Sequence, residues 1–80
     1  MPYIPKEDRT EDRAERNPCD PGELNYALTR MCIRYLDGRP HYHNFAEAIG
    51  ALECAKLELY RRMVAPYEDK KCAENGDVYP

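Results

Sequence analysis

Six basic side chains, Arg30, Arg34, Lys56, Arg61, Arg62 and Lys70, with two tyrosines, Tyr60 and Tyr67, are the residues of this 80-residue chain best suited to chemistry. Guanidinium forks hold phosphates through paired, charge-assisted hydrogen bonds, and phenol rings offer faces on which a base can stack. Arg30 and Arg34 stand one helical turn apart, and Arg61 and Arg62 come directly after Tyr60. The set therefore predicts a non-enzymatic site for a small anionic ligand of the cyclic-oligonucleotide kind, lined at subunit interfaces. Interleaved acids weigh against each residue taken alone. Glu53 precedes Lys56 by three and Glu58 precedes Arg62 by four, the spacing of a solvated, salt-bridged helix face.

Other chemistries find little support. The chain has no serine, and nothing in its spacing directs a cysteine at a histidine, so no catalytic set is expected and the reading is of a protein that is not an enzyme. Cys19, Cys32, Cys54 and Cys72 form no CxxC pair. They read as reduced thiols, Cys32 and Cys54 as small buried hydrophobes and Cys19 and Cys72 as exposed. His41 and His43 read as loop residues rather than zinc ligands, so neither metal nor cofactor is expected. The start MPYIPKEDRTEDR has no apolar secretory core, and no run is long enough to span a membrane, which makes a bacterial cytoplasm the expected location.

The formal charge of −3 hides a gradient. Residues 1–23 hold seven acids and four bases, residues 24–66 four acids and six bases, and residues 67–80 four acids and two bases. A mildly basic centre between acidic ends leaves room for an anion site. It argues against nucleic acid as a partner, which calls for a strong basic stripe.

Two helices must position these residues. Asp20, Pro21 and Glu23 supply an N-cap, a proline at the first helical position and a capping-box acid, and Asp37-Gly38 closes a helix over about 21–36. Leu24, Leu28, Met31 and Tyr35 make its expected inward stripe. After the loop GRPHYHN, Asn44 and Glu47 repeat the capping logic for a helix over about 44–65, which Pro66 should kink or end. The short loop predicts an antiparallel helical hairpin, so the fold class is all-α, a single domain over 1–80. A charged arm over 1–19, anchored only by Tyr3 and Ile4, precedes it. A turn over 67–73 and a tail over 74–80 complete the chain.

The second helix is apolar on two sides. Phe45, Ile49, Leu52, Leu59 and Met63 form one stripe, with Lys56 standing where an apolar residue is expected. Leu57, Tyr60, Val64 and Tyr67 form another, and Ala46, Gly50 and Cys54 add small residues that admit a second backbone. A chain of this size buries only roughly 60–65% of its unfolded surface. Homo-oligomerisation through Ala46, Gly50, Cys54, Leu57, Tyr60 and Val64 is the expected remedy. The alternative is a protein–protein interaction module, such as an inhibitor of a host factor, acting through the acidic arm and tail.

The segments PGELNYALTRMCIRYL and AIGALECAKLELYRRMVAPYEDKKCAENGDVYP resemble a small uncharacterised family of bacteriophage and prophage proteins, whose members begin with a PYI-type segment and end in an ENGDVY-like tail. The segment 5–18 departs from it, being shorter and more charged than the helix the resemblance leads one to expect. The resemblance implies a phage-borne accessory protein in the bacterial cytoplasm, similar in size to proteins that sequester immune signalling nucleotides. It carries no binding or catalytic residue to this chain.

Overall fold

The computed structural model describes residues 4–80 and is all-helical, with no strand among them. A 3-10 turn at Lys6–Asp8 leads to α1 (Glu11–Glu15), α2 (Pro21–Leu36), α3 (Tyr42–Leu59), a π-helical turn (Tyr60–Val64) and α4 (Ala65–Asn75). Contacts group the chain into two units, one ending at Ala48 and the other covering Ile49–Pro80.

In the first unit the charged arm is folded and docked. Thr10 caps α1, its hydroxyl accepting from the Arg13 amide at 3.2 Å, and Ala14 turns inward against Ile4 and Tyr26 to form a small buried cluster. Tyr26 closes it by donating its hydroxyl to the Thr10 carbonyl at 3.5 Å. Tyr3, the other expected anchor, lies outside the described residues. The α2 start agrees with expectation, with Asp20 accepting from the Glu23 amide at 2.8 Å. Glu23 itself departs from the simple capping box. Its carboxylate accepts from the Cys19 amide at 3.3 Å and from the guanidinium groups of Arg13 and Arg16 at 2.9 Å each, and the residue is 4% exposed.

This docking overturns the expected inward stripe of α2. Leu24, Leu28, Met31 and Tyr35 are exposed, while Glu23 and Tyr26 are buried and Arg30 is half-buried. The reason is what packs there. α1 and the residue that ends it offer Arg13, Arg16 and Glu11, and so select the α2 face that carries Glu23 and Arg30, which bonds Glu11. At the far end Gly38 adopts a left-handed conformation at φ +73°, as the helix stop requires.

α3 begins at Tyr42 rather than Asn44, because the His41 carbonyl already accepts from the Asn44 and Phe45 amides at 3.0 and 3.2 Å. Asn44 is thus inside the first turn, buried, and donates its side-chain amide to Glu47 at 2.9 Å. Glu47 also accepts from the Tyr35 hydroxyl at 2.8 Å, and Arg39 lies 4.7 Å from the centre of the Tyr35 ring. The two bonds, Asn44 first, hold the Glu47 carboxyl below its ordinary range, and the same carboxylate raises the Tyr35 phenol.

Pro66 does not end the helix. It lies in the first turn of α4, and the helical run passes it and continues to Asn75, so the expected turn at 67–73 is a helix and the tail begins at Gly76. The π turn explains how. The Ala65 amide bonds the Tyr60 carbonyl, five residues back, so the ladder widens where a proline has no amide hydrogen to give and its ring would strike an α-helical carbonyl. The widening inserts one residue and shifts the phase of the helix beyond it. Side chains of an α-helix turn about 100° per residue, which would leave Tyr60 and Glu68 about 80° apart; the extra residue brings them within about 20°. Tyr60 indeed donates its hydroxyl to Glu68, which raises the phenol above its ordinary range.

Two outcomes test this fold. Arg16, first by its hydrogen bond, holds the Glu23 carboxyl below its ordinary range. The stabilisation is therefore complete above the unfolded value of about 4.3 and is lost as pH falls through the lower folded value. The melting temperature of the wild type should drop across that acid window, and a Glu23→Gln variant should start lower at neutral pH and show a flatter profile. For the π turn, Glu68→Ala should lower one of the two raised phenol titrations seen by ultraviolet absorbance, leaving that of Tyr35 in place, and an unchanged profile would refute the Tyr60–Glu68 contact.

Candidate functional site

The expected basic set divides between the two units. Arg30 and Arg34 belong to the first, Lys56, Arg61, Arg62 and Lys70 to the second. Arg30 is committed to the fold: it is half-buried, it bonds Glu11, and its Nε is buried without a hydrogen bond. Arg34 is exposed in the last turn of α2 and carries no ion pair among the described residues. Lys56 pairs with Glu53 of its own helix at 3.3 Å, with its side chain in solvent.

Arg61 and Arg62 lie on the π turn and Lys70 on α4; all are exposed and carry no ion pair among the described residues. Tyr60 and Tyr67 are exposed as well. The π turn decides which of these residues share a face. Inserting one residue rotates Val64 and Tyr67 toward the line of Leu52 and Leu59. Tyr60 joins its border through Glu68. By the same rotation Arg61 and Arg62 fall away from that line, while Lys70, three residues after Tyr67 on α4, stays beside it. Within this unit the guanidinium groups of Arg61 and Arg62 and the Tyr67 ring are thus not gathered on one side.

The expected second stripe is corrected in the same way. Leu57 stays on the arginine side while Val64 and Tyr67 leave it, because helical phase is not conserved across a π turn. Ala46, Gly50 and Cys54 remain an exposed run of small residues, and a side chain added at Gly50 would meet nothing within 4 Å. Cys54 is exposed where burial was expected, Cys32 is half-buried, and all four thiols are free.

His41 and His43 stack on each other, ring centres 5.8 Å apart and planes nearly parallel at 4°. No group of three metal-ligating side chains forms among the described residues, and no described helix is long and apolar enough to cross a membrane. Two side-chain clusters escaped the sequence reading. Arg13 and Arg16 on Glu23 were legible only as a charge run, since their partner already had a local capping role. Tyr35 with Asn44 and Glu47 required knowing that α2 and the first turn of α3 meet over a short loop.

No match to the chain is found among curated proteins or solved structures. One family model, described as Domain of unknown function (DUF6899), matches residues 1–78. The match spans nearly the whole chain, from the docked arm through α4, and the chain therefore belongs to the DUF6899 family.

Proposed function

We propose that this protein is a non-enzymatic, self-associating helical module whose assembled form holds a small anionic ligand. The observation that carries the reading is the unit Ile49–Pro80, in which no side chain is buried although Leu52, Leu57, Leu59, Tyr60, Met63, Val64 and Tyr67 are all present. Met63 is 66% and Tyr67 60% exposed. A lone helix gains little from backbone hydrogen bonds in water and owes its stability to covering an apolar face. Contiguous apolar surface on this scale is a mark of an interaction site. A second copy is the cover this reading supplies, and the hairpin pairing expected of the two long helices belongs to the same proposal.

The ligand part rests on Arg34, Arg61, Arg62 and Lys70, exposed cations outside any ion pair among the described residues. In the phage-borne, cytoplasmic setting that the sequence resemblance implies, sequestration of a signalling nucleotide as counter-defence suits a small oligomer with such a surface. The second reading, inhibition of a host protein, keeps the exposed apolar face of α2 as its support. It no longer has the arm to itself, since α1 is docked and its removal would uncover Tyr26.

Light scattering at micromolar concentration should report an oligomer, and a stable monomer would reject the reading. Calorimetry with a panel of cyclic and linear nucleotides should then give heat that Arg61→Ala and Arg62→Ala each weaken by about 1.5–3 kcal/mol, with assembly intact. No heat at millimolar nucleotide with intact oligomers would leave the host-protein reading in its place.

A further inference from the structure

Along α3, the π turn and α4, two short acid–base steps repeat in the same order: Glu53 then Lys56, and Glu68 then Lys71. They bracket the apolar residues Leu59, Tyr60, Met63, Val64 and Tyr67, and by the phase that the π turn sets, all border one face. Within the chain Lys56 turns back to Glu53 at 3.3 Å and Lys71 forward to Glu74 at 3.5 Å, each pair on the surface. The order of these charges is informative about a partner. Two copies side by side and parallel in register would set like charge against like. Reversing one copy, with the two-fold axis level with Arg62, sets Glu53 level with Lys71 of the second copy and Lys56 level with Glu68. The same register sets Tyr60 level with Val64, a large side chain beside a small one at the centre.

We infer that the face carrying Leu59, Met63, Val64 and Tyr67 is an isologous interface with a second copy of this chain, antiparallel, with its two-fold axis level with Arg62. The inference rests on the self-association proposed above and adds its partner orientation and register. Isologous pairing explains both halves of the pattern, because one patch must complement itself. Apolar side chains supply the centre, and the two charge steps fix the register from either end. It also gives the π turn a role. Without the inserted residue, Val64 and Tyr67 would rotate away from Leu59, and Glu68 away from Lys56, so the face would break in the middle.

The test is a charge exchange, read by sedimentation analysis of the full chain. Lys56→Glu and Glu68→Lys should each raise the dissociation midpoint about tenfold, since two equivalent pairs are reversed per dimer. The double variant Lys56→Glu/Glu68→Lys should return to within about threefold of wild type. It worsens the contacts within each chain, so recovery has to come from the second copy. Pro66→Ala should increase the α-helical circular dichroism and weaken association together. Wild-type association with no recovery in the double variant overturns the register while leaving self-association in place. A wild type that stays monomeric overturns both. Should a charge variant lose its helicity, Met63→Cys in a chain whose four natural cysteines are replaced by alanine decides instead. A disulfide-linked dimer supports the register, and its failure to form under oxidation that cross-links a control dithiol overturns it.

Discussion

Pro66 confronts a helix with a residue that has no amide hydrogen to donate and a ring that occupies the space of a carbonyl one turn back. A helix meeting that constraint either stops or widens, and here it widens, with the Ala65 amide reaching the Tyr60 carbonyl. Everything beyond depends on the choice. Had the helix stopped, Tyr67, Lys70 and Lys71 would belong to a loop with no fixed direction. Because it widens, they stay on a helix but in a shifted phase, and a segment whose sequence shows two apolar stripes turns Val64 and Tyr67 toward Leu59 and away from Arg61 and Arg62.

The first unit is organised by a different force. Its buried apolar cluster, Ile4, Ala14 and Tyr26, is too small to hold α1 by burial alone. Two guanidinium groups on a single carboxylate make up the difference, helped by the Cys19 amide. Glu23 is nearly solvent-free with its partners in place, and leaving it there without them would be costly. The arm thus docks by the charges that make it look like a solvated segment. The first unit is held by a buried carboxylate paired with two arginines, and the second has no buried side chain at all.

Local signals were legible where they are self-contained. The α2 boundaries, with Asp20, Pro21 and Gly38, derive from caps whose chemistry involves only neighbouring residues, and the structure reproduces them. The same logic failed at Asn44, where the His41 carbonyl took the cap and freed the asparagine for Glu47. Side-chain phase was less legible still. The stripe through Leu24, Leu28 and Met31 is real in the sequence, yet the face that α1 covers is chosen by complementary charge rather than by apolar content. The π turn could be suspected from Pro66 inside an otherwise helical pattern, but which turn would widen is set by competing backbone geometry that no residue pattern encodes. The candidate site inherits that gap: its residues are legible in the sequence, while the separation of Arg61 and Arg62 from Tyr67 is not.

The contrast between the units gives the molecule opposite responses to ionic strength. Added salt shortens the reach of exposed charges and loosens partly exposed pairs such as those of Arg13 and Arg16 with Glu23, whose arginine side chains are 30% and 42% accessible. Salts excluded from protein surfaces strengthen the burial of apolar groups such as Met63 and Tyr67. In concentrated sulfate, then, the uncovered half is driven toward association, while the screening that comes with the same salt weakens the hold of α1 on α2.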